Sequence, residues 1–276
     1  MEIGIITRTF ERPTLAAVLD AVAAHGLHAV QLTLSSAGWA DLPDAIPPGL
    51  ADSVREAVES RGLRVAAVTG TYNMIHPDLQ RRRDGLRRLG VLVSACARLG
   101  TRTVTLCTGT RDPDYMWRRH PDNDLPDAWR NLVVVVREAV RMAEDSGVIL
   151  AIEPEVSNVI DSAAKARRLL DAVPSGCLKI CMDGANIFHA GELPRMRAIL
   201  DEAFALLGDH LILAHAKDLN RDGEAGQEAA GTGLLDYNHY LSLLRASGYD
   251  GPLILHSLRE EQVPGCVAFL RRKLGE

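Results

Sequence analysis

The sequence predicts a single (β/α)8 barrel, and three observations carry that prediction. The chain has 276 residues, close to the roughly 250 that an eight-unit parallel barrel needs. Apolar runs of strand length alternate with stretches of helical length from one end of the chain to the other. Four consecutive runs then end on a residue able to bind a metal. Val148 to Ile152 ends at Glu153, Cys177 to Met182 at Asp183, Leu211 to Ala214 at His215, and Leu253 to Leu255 at His256. In a closed parallel barrel such strand ends share one rim, so the four side chains meet. An open doubly wound sheet is the competing architecture.

Each element has its own signal. Ile3 to Thr7 is a strand, followed by a helix from Thr14, a suitable N-cap, to about Ala24, with Gly26 as its stop. Ala29 to Leu34 is the second strand, and the helix Ala51 to Ser60 closes at Gly62. Leu63 to Val68 forms the third strand, then a loop containing His76 leads to a long helix through Leu99. Thr103 to Cys107 is the fourth strand. Its loop, Thr108 to Pro126, is the longest irregular segment and mixes charges with Tyr115 and Trp117, which suggests that it covers something. A helix from Asp127 to Glu144 precedes Val148 to Glu153, an aliphatic run without polar alternation, as expected for a strand buried on both faces. Helices at Ser162 to Val173, Leu193 to Leu207, Tyr237 to Ala246 and Val263 to Leu274 separate and follow the last strands. No linker, low-complexity tract or close repeat divides residues 1–276, so one domain is expected.

Composition narrows the function classes. The hydrophobic fraction of 47% supplies a large core, and a charged fraction of 24% is ordinary for a globular protein. A net charge of −5 argues against nucleic acid as the main partner. The start at Met1 has no basic segment and no long apolar stretch, so a cytoplasmic protein without membrane contact is expected. Five cysteines without CxxC spacing read as reduced thiols, mostly core. Homo-oligomerisation is left open.

The rim motifs, in order, are Glu153 in Ile-Glu-Pro, Asp183 in Met-Asp-Gly-Ala-Asn, His215 in His-Ala-Lys-Asp, and then Gly231-Thr-Gly-Leu-Leu-Asp-Tyr. Together they resemble the xylose isomerase-like TIM barrel family, and within it the sugar phosphate isomerases and epimerases, over essentially the whole chain. The resemblance implies a divalent metal held by a Glu after strand five, an Asp after strand six, a His after strand seven and a Glu after strand eight. The first three correspond to Glu153, Asp183 and His215. At the fourth position this chain has His256, and Asn186 stands where those enzymes often have a His that touches substrate. Imidazole is a competent ligand, so the expected set is Glu153, Asp183, His215 and His256. Two nitrogens in that set favour Mn²⁺ or Zn²⁺, with Co²⁺ and Fe²⁺ also suited and Mg²⁺ less so.

The expected activity is isomerisation or epimerisation of a sugar, sugar phosphate or related keto-polyol through an enediolate. Glu153 is the expected base, with His256 or His76 returning the proton; for His76, capping of the following helix is the competing role. Lys217, two residues beyond His215, points to the same side and is expected on a substrate oxygen, with Asn186 near it. Asp218 is expected to orient His215 or Lys217. Arg111 and Trp117 are candidates for the far end of the substrate, although an Arg111 paired with Asp112 reads the same. Gly231 and Gly233 would bring backbone N–H groups to a phosphate or simply form a flexible loop.

Other classes stay open. A metal-dependent lyase, dehydratase or decarboxylase acting on an oxo or polyhydroxy acid shares the same intermediate, and loss of the second Glu leans toward it. Phosphodiester hydrolysis of damaged DNA needs additional metal-binding histidines, whereas His25, His28, His120, His189, His210 and His239 fall mostly in helices and loops. A ligand-binding barrel without catalysis is the third class.

Overall fold

The computed structural model describes residues 1–276. Eight strands, β1 (Ile3–Ile6), β2 (Ala29–Leu32), β3 (Arg64–Thr69), β4 (Thr103–Cys107), β5 (Ile149–Glu153), β6 (Leu178–Asp183), β7 (Leu211–Ala216) and β8 (Leu253–Leu255), lie side by side in sequence order. All pairings are parallel, and β1 bonds to both β2 and β8, so the sheet closes and has no edge. That closure excludes the open-sheet alternative. Helices α1 (Leu15–Ala24), α2 (Pro48–Glu59), α3 (Leu79–Ala95), α4 (Pro126–Ser146), α5 (Ala163–Ala172), α6 (Met196–Leu207), α7 (Tyr237–Ala246) and α8 (Val263–Leu274) follow the strands in turn. No helix is long and apolar enough to cross a membrane.

Local chemistry sets the boundaries. The Thr14 hydroxyl accepts from the Ala17 N–H at 3.2 Å and starts α1, as its sequence position suggests. Gly26, Gly62, Gly100 and Gly147 all adopt positive φ between 63° and 82°, the conformation that stops a helix without steric penalty. Several boundaries shift by one to four residues from expectation, and two of the larger shifts are instructive. Helix α2 begins at Pro48 rather than Ala51, because a proline at the first helical position lacks only an N–H that would have no partner there. Helix α3 ends at Ala95, and the chain turns through residues 96–100 before Gly100.

The core has two compartments. The larger lies between helices and barrel, where Leu19, Leu89, Leu132, Leu169, Leu200 and Leu270 pack on outward-facing strand residues such as Val30, Val104 and Ile180. The smaller fills the lumen with Ile6, Ala67, Ala151, Cys181, Leu213 and Ile254. Side chains alternate along a strand with period two, so the residue two positions further on faces the same interior. For Ala67, Ala151, Cys181, Leu213 and Ile254 those residues are Thr69, Glu153, Asp183, His215 and His256. An apolar floor therefore lies directly beneath a polar rim.

Candidate metal centre and active site

Glu153, Asp183 and His215 converge at the C-terminal rim of β5, β6 and β7. His215 Nδ1 is 3.6 Å from Glu153 Oε1 and 3.5 Å from Asp183 Oδ2. All three residues are buried, and neither His215 Nδ1 nor Asp183 Oδ2 has a hydrogen-bond partner. Lys217 Nζ lies 3.2 Å from the same Asp183 oxygen. Burial opposes the Asp183 charge, but the Lys217 ammonium and His215 overcome it and hold the carboxyl far below its usual range. Burial likewise disfavours a charged His215; the neighbouring Cys181, Glu153 and Asp183 outweigh it and raise the imidazole well above its ordinary value.

The other face of His215 is tied down inside the barrel. Its Nε2 is 2.9 Å from Gln31 Oε1, and the Gln31 amide donates to the Thr69 and Thr105 hydroxyls at 3.0 and 3.2 Å. An amide oxygen only accepts, so Nε2 carries a proton toward Gln31 and Nδ1 is the nitrogen that faces the two carboxylates. Cys181 Sγ also approaches Nε2, at 3.4 Å. Glu153, Cys181 and His215 each offer a ligand atom within 4.8 Å of the other two. Cys181, however, sits on the nitrogen that Gln31 occupies, whereas Nδ1 faces Asp183 Oδ2 and Glu153 Oε1. Asn186 donates to Glu153 Oε1 at 2.6 Å and accepts from the Gly226 N–H at 3.1 Å. It therefore fixes Glu153 directly.

His256 reaches the rim beside His215, with both ring nitrogens engaged. Its ring stacks on His215 with centroids 5.0 Å apart and planes 6° from parallel. Its Nε2 is 2.8 Å from Arg8 Nη2 and its Nδ1 2.9 Å from Ser257 Oγ. A guanidinium only donates, so the Nε2 lone pair is taken by Arg8 and Nδ1–H points to Ser257. Neither nitrogen is free to face the carboxylates. Burial, followed by the positive charges of Lys217, His215 and Arg8, pushes the His256 pKa well down.

Several other expected residues lie in loop networks. His76 accepts from the Asp78 N–H at 3.0 Å through Nδ1 and donates to the Pro113 carbonyl at 3.0 Å through Nε2, joining the loops after β3 and β4. The carboxylate that caps α3 is Asp78. Arg111 pairs with Asp127 at 2.8 Å rather than with Asp112. Trp117 is 39% exposed and makes none of the rim hydrogen bonds. Asp218 accepts from the N–H groups of Leu219, Leu235 and Gly231, so it organises residues 219–235 instead of orienting His215 or Lys217. That use of the Gly231 N–H removes it from the expected phosphate contact. Glu155 is buried in the turn after β5, where the Ser157 N–H and the Asn158 amide hold its carboxylate, and it adds no second carboxylate to the rim set.

His215 Nδ1 is buried without a hydrogen-bond partner, at a cost of about 1–3 kcal/mol, and Asp183 Oδ2, 3.5 Å away, is met by the Lys217 ammonium at 3.2 Å. With Glu153 beside them, the donor set of two carboxylates and one imidazole fits a divalent metal. The family model described as xylose isomerase-like TIM barrel matches residues 19–273. The chain belongs to that family. Solved structures share the whole architecture at low sequence identity. A xylose isomerase domain protein from Planctomyces limnophilus is 20% identical, with a TM-score of 0.74 over 99% of this chain and 98% of that one. A 3-keto-D-glucoside 4-epimerase from E. coli is 19% identical, with a TM-score of 0.72 over 99% of both chains. A D-psicose 3-epimerase from Clostridium cellulolyticum H10, solved with D-tagatose, is 16% identical, with a TM-score of 0.74 over 99% of both. At these identities the likeness is one of fold.

The residues that sequence reasoning missed at this family rim are Gln31, Arg8, Cys181 and Tyr240. Gln31 left a signal, as a lone amide inside the strand Ala-Val-Gln-Leu. Tyr240 left none. From α7 its hydroxyl lies 3.1 Å from both the Met182 and His215 carbonyls, holding the ends of β6 and β7 together. Gly184 makes room for it, since a Cβ there would come within 3.0 Å of the Tyr240 ring.

Proposed function

We propose that the protein is a divalent-metal-dependent isomerase or epimerase acting on a sugar or a related polyhydroxy carbonyl compound through an enediolate. The observation that supports it is the convergence of His215 Nδ1, which has no hydrogen-bond partner, with the buried carboxylates of Asp183 and Glu153 at the end of the barrel. In this reading Glu153, Asp183 and His215 hold the ion. When bound, it supplies the Lewis acidity that makes a C–H next to a carbonyl acidic.

The chain's own groups carry the proton transfer. Asn186 occupies Glu153 Oε1, while Oε2 faces only the Cys107 thiol, at 3.9 Å, so Oε2 is the atom that accepts the substrate proton. Lys217, buried beside Asp183, donates to the substrate oxygen on which negative charge grows. The apolar floor of Ala151, Leu213 and Ile254 keeps water out from below. A single carboxylate that takes and returns the proton acts on one face of the substrate, which suits transfer between neighbouring carbons better than inversion at one carbon. His256 in place of a second Glu therefore favours isomerisation within this reading. It also favours, as a second reading, a dehydratase in which Glu153 removes the same proton and a neighbouring hydroxyl leaves as water, or a decarboxylase in which loss of CO₂ leaves an enolate that takes up a proton from protonated Glu153.

Elemental analysis and solvent exchange test the proposal together. Wild-type protein is expected to hold about one divalent metal per chain and Asp183→Asn to lose it. Incubation with ketoses and aldoses in ²H₂O is expected to introduce deuterium next to the carbonyl, and Glu153→Gln to abolish this. Release of water or CO₂ in place of isomer exchange would select the lyase. A wild-type protein that takes up no metal after reconstitution would sink both.

A further inference from the structure

The inference concerns Arg8 and deepens the reading above, on which it rests. Arg8 follows β1, two residues past the lumen residue Ile6, and its guanidinium reaches the strand-eight side of the rim to contact His256 Nε2 at 2.8 Å. It has no carboxylate partner. Arg12, four residues on, by contrast forms a two-pronged pair with Glu260 at 2.6 and 2.9 Å. Arg8 is instead anchored by a neutral ring and left exposed.

The anchor is itself built at some expense. Ser257, with φ at 53°, is the one non-glycine residue in the chain with positive φ. That conformation costs about 1–2 kcal/mol. It places Ser257 Oγ beside His256 Nδ1, so the ring turns its other nitrogen toward Arg8. Charge balance points the same way. Lys217 is paired with Asp183, which leaves Arg8 as a rim cation without a carboxylate partner.

We infer that the substrate carries an anionic oxygen group, a carboxylate or a phosphate, and that Arg8 binds it at the mouth of the barrel with Lys217 below. A guanidinium matches such groups with two parallel N–H donors. A neutral sugar would leave the positive charge unanswered.

Calorimetric titration of Mn²⁺-loaded and metal-free protein with D-gluconate, D-sorbitol and D-sorbitol 6-phosphate tests this. An anion is expected to bind at least about ten-fold tighter than sorbitol, the scale of one charge-assisted contact. The preference should fall below about two-fold in Arg8→Gln and recover in part in Arg8→Lys. Gluconate as the preferred anion marks a carboxylate substrate, and sorbitol 6-phosphate a phosphorylated one. Equal binding of all three, no binding of any, or an undiminished preference in Arg8→Gln overturns the inference. Mn²⁺ uptake by the same samples is read separately. Its absence in wild type would remove the metalloenzyme reading, while the metal-free titrations would still decide the role of Arg8.

Discussion

His215 on β7 and Gln31 on β2 meet inside the barrel, with Nε2 and Oε1 2.9 Å apart across 184 residues of sequence. The contact keeps a proton on Nε2 and presents Nδ1 to Asp183 and Glu153. Replacing Gln31 by Leu removes that acceptor without touching any proposed ligand. Divalent-metal affinity is expected to fall about 10- to 100-fold, the usual effect of losing a residue that orients a metal-binding histidine. Titration with Mn²⁺ or Zn²⁺ reads it directly, and an unchanged Kd would show that the Gln31 contact does not govern the site.

His256 is stacked on His215 with both nitrogens engaged. Metal content in His256→Ala is therefore expected to remain near that of wild type, with Kd changed by no more than about three-fold. Loss of the metal would instead make His256 a fourth ligand that exchanges Arg8 for the ion.

Burial pushes the Glu155 carboxyl from its ordinary 4.5 up to about 7, against the opposing hydrogen bond from the Ser157 N–H. The folded state thus retains a proton that the unfolded chain releases. Below about pH 4.5 both states are protonated and no penalty exists. Stability then falls as pH rises from 4.5 to 7, by up to about 3 kcal/mol for a shift of this size. Glu155→Gln mimics the protonated form. Urea denaturation should show the variant more stable than wild type at pH 8 and equal to it at pH 4, and a pH-independent difference would refute this account.

Tyr240→Phe keeps the ring and removes the hydroxyl between the Met182 and His215 carbonyls. The one hydroxyl proton shared between the two buried carbonyls is then lost, and stability should drop by about 1–2 kcal/mol. Tyr240 also ties the ends of β6 and β7 behind Asp183 and His215, so weaker metal binding should accompany the loss. A variant as stable as wild type would show that water replaces the hydroxyl.

The architecture and three of the rim side chains were legible because they follow from local rules. Aliphatic runs without alternation mark strands buried on both faces, and Glu153, Asp183 and His215 stand at their ends. Period-two alternation puts each of them above a lumen residue, and the sequence determines this before any packing is known. What the tertiary structure alone decided is how each polar atom is used. Imidazole at position 256 looks like a ligand in one dimension, yet Arg8, brought from the other end of the chain by β1–β8 closure, occupies its nitrogen. Arg111, Asp218 and the Gly231 N–H have the right chemistry for substrate, but Asp127 pairs with Arg111 and Asp218 takes the glycine's N–H. A hydrogen-bonding group serves whichever partner the fold brings nearest. That choice depends on contacts between distant segments, which residue type and spacing do not encode.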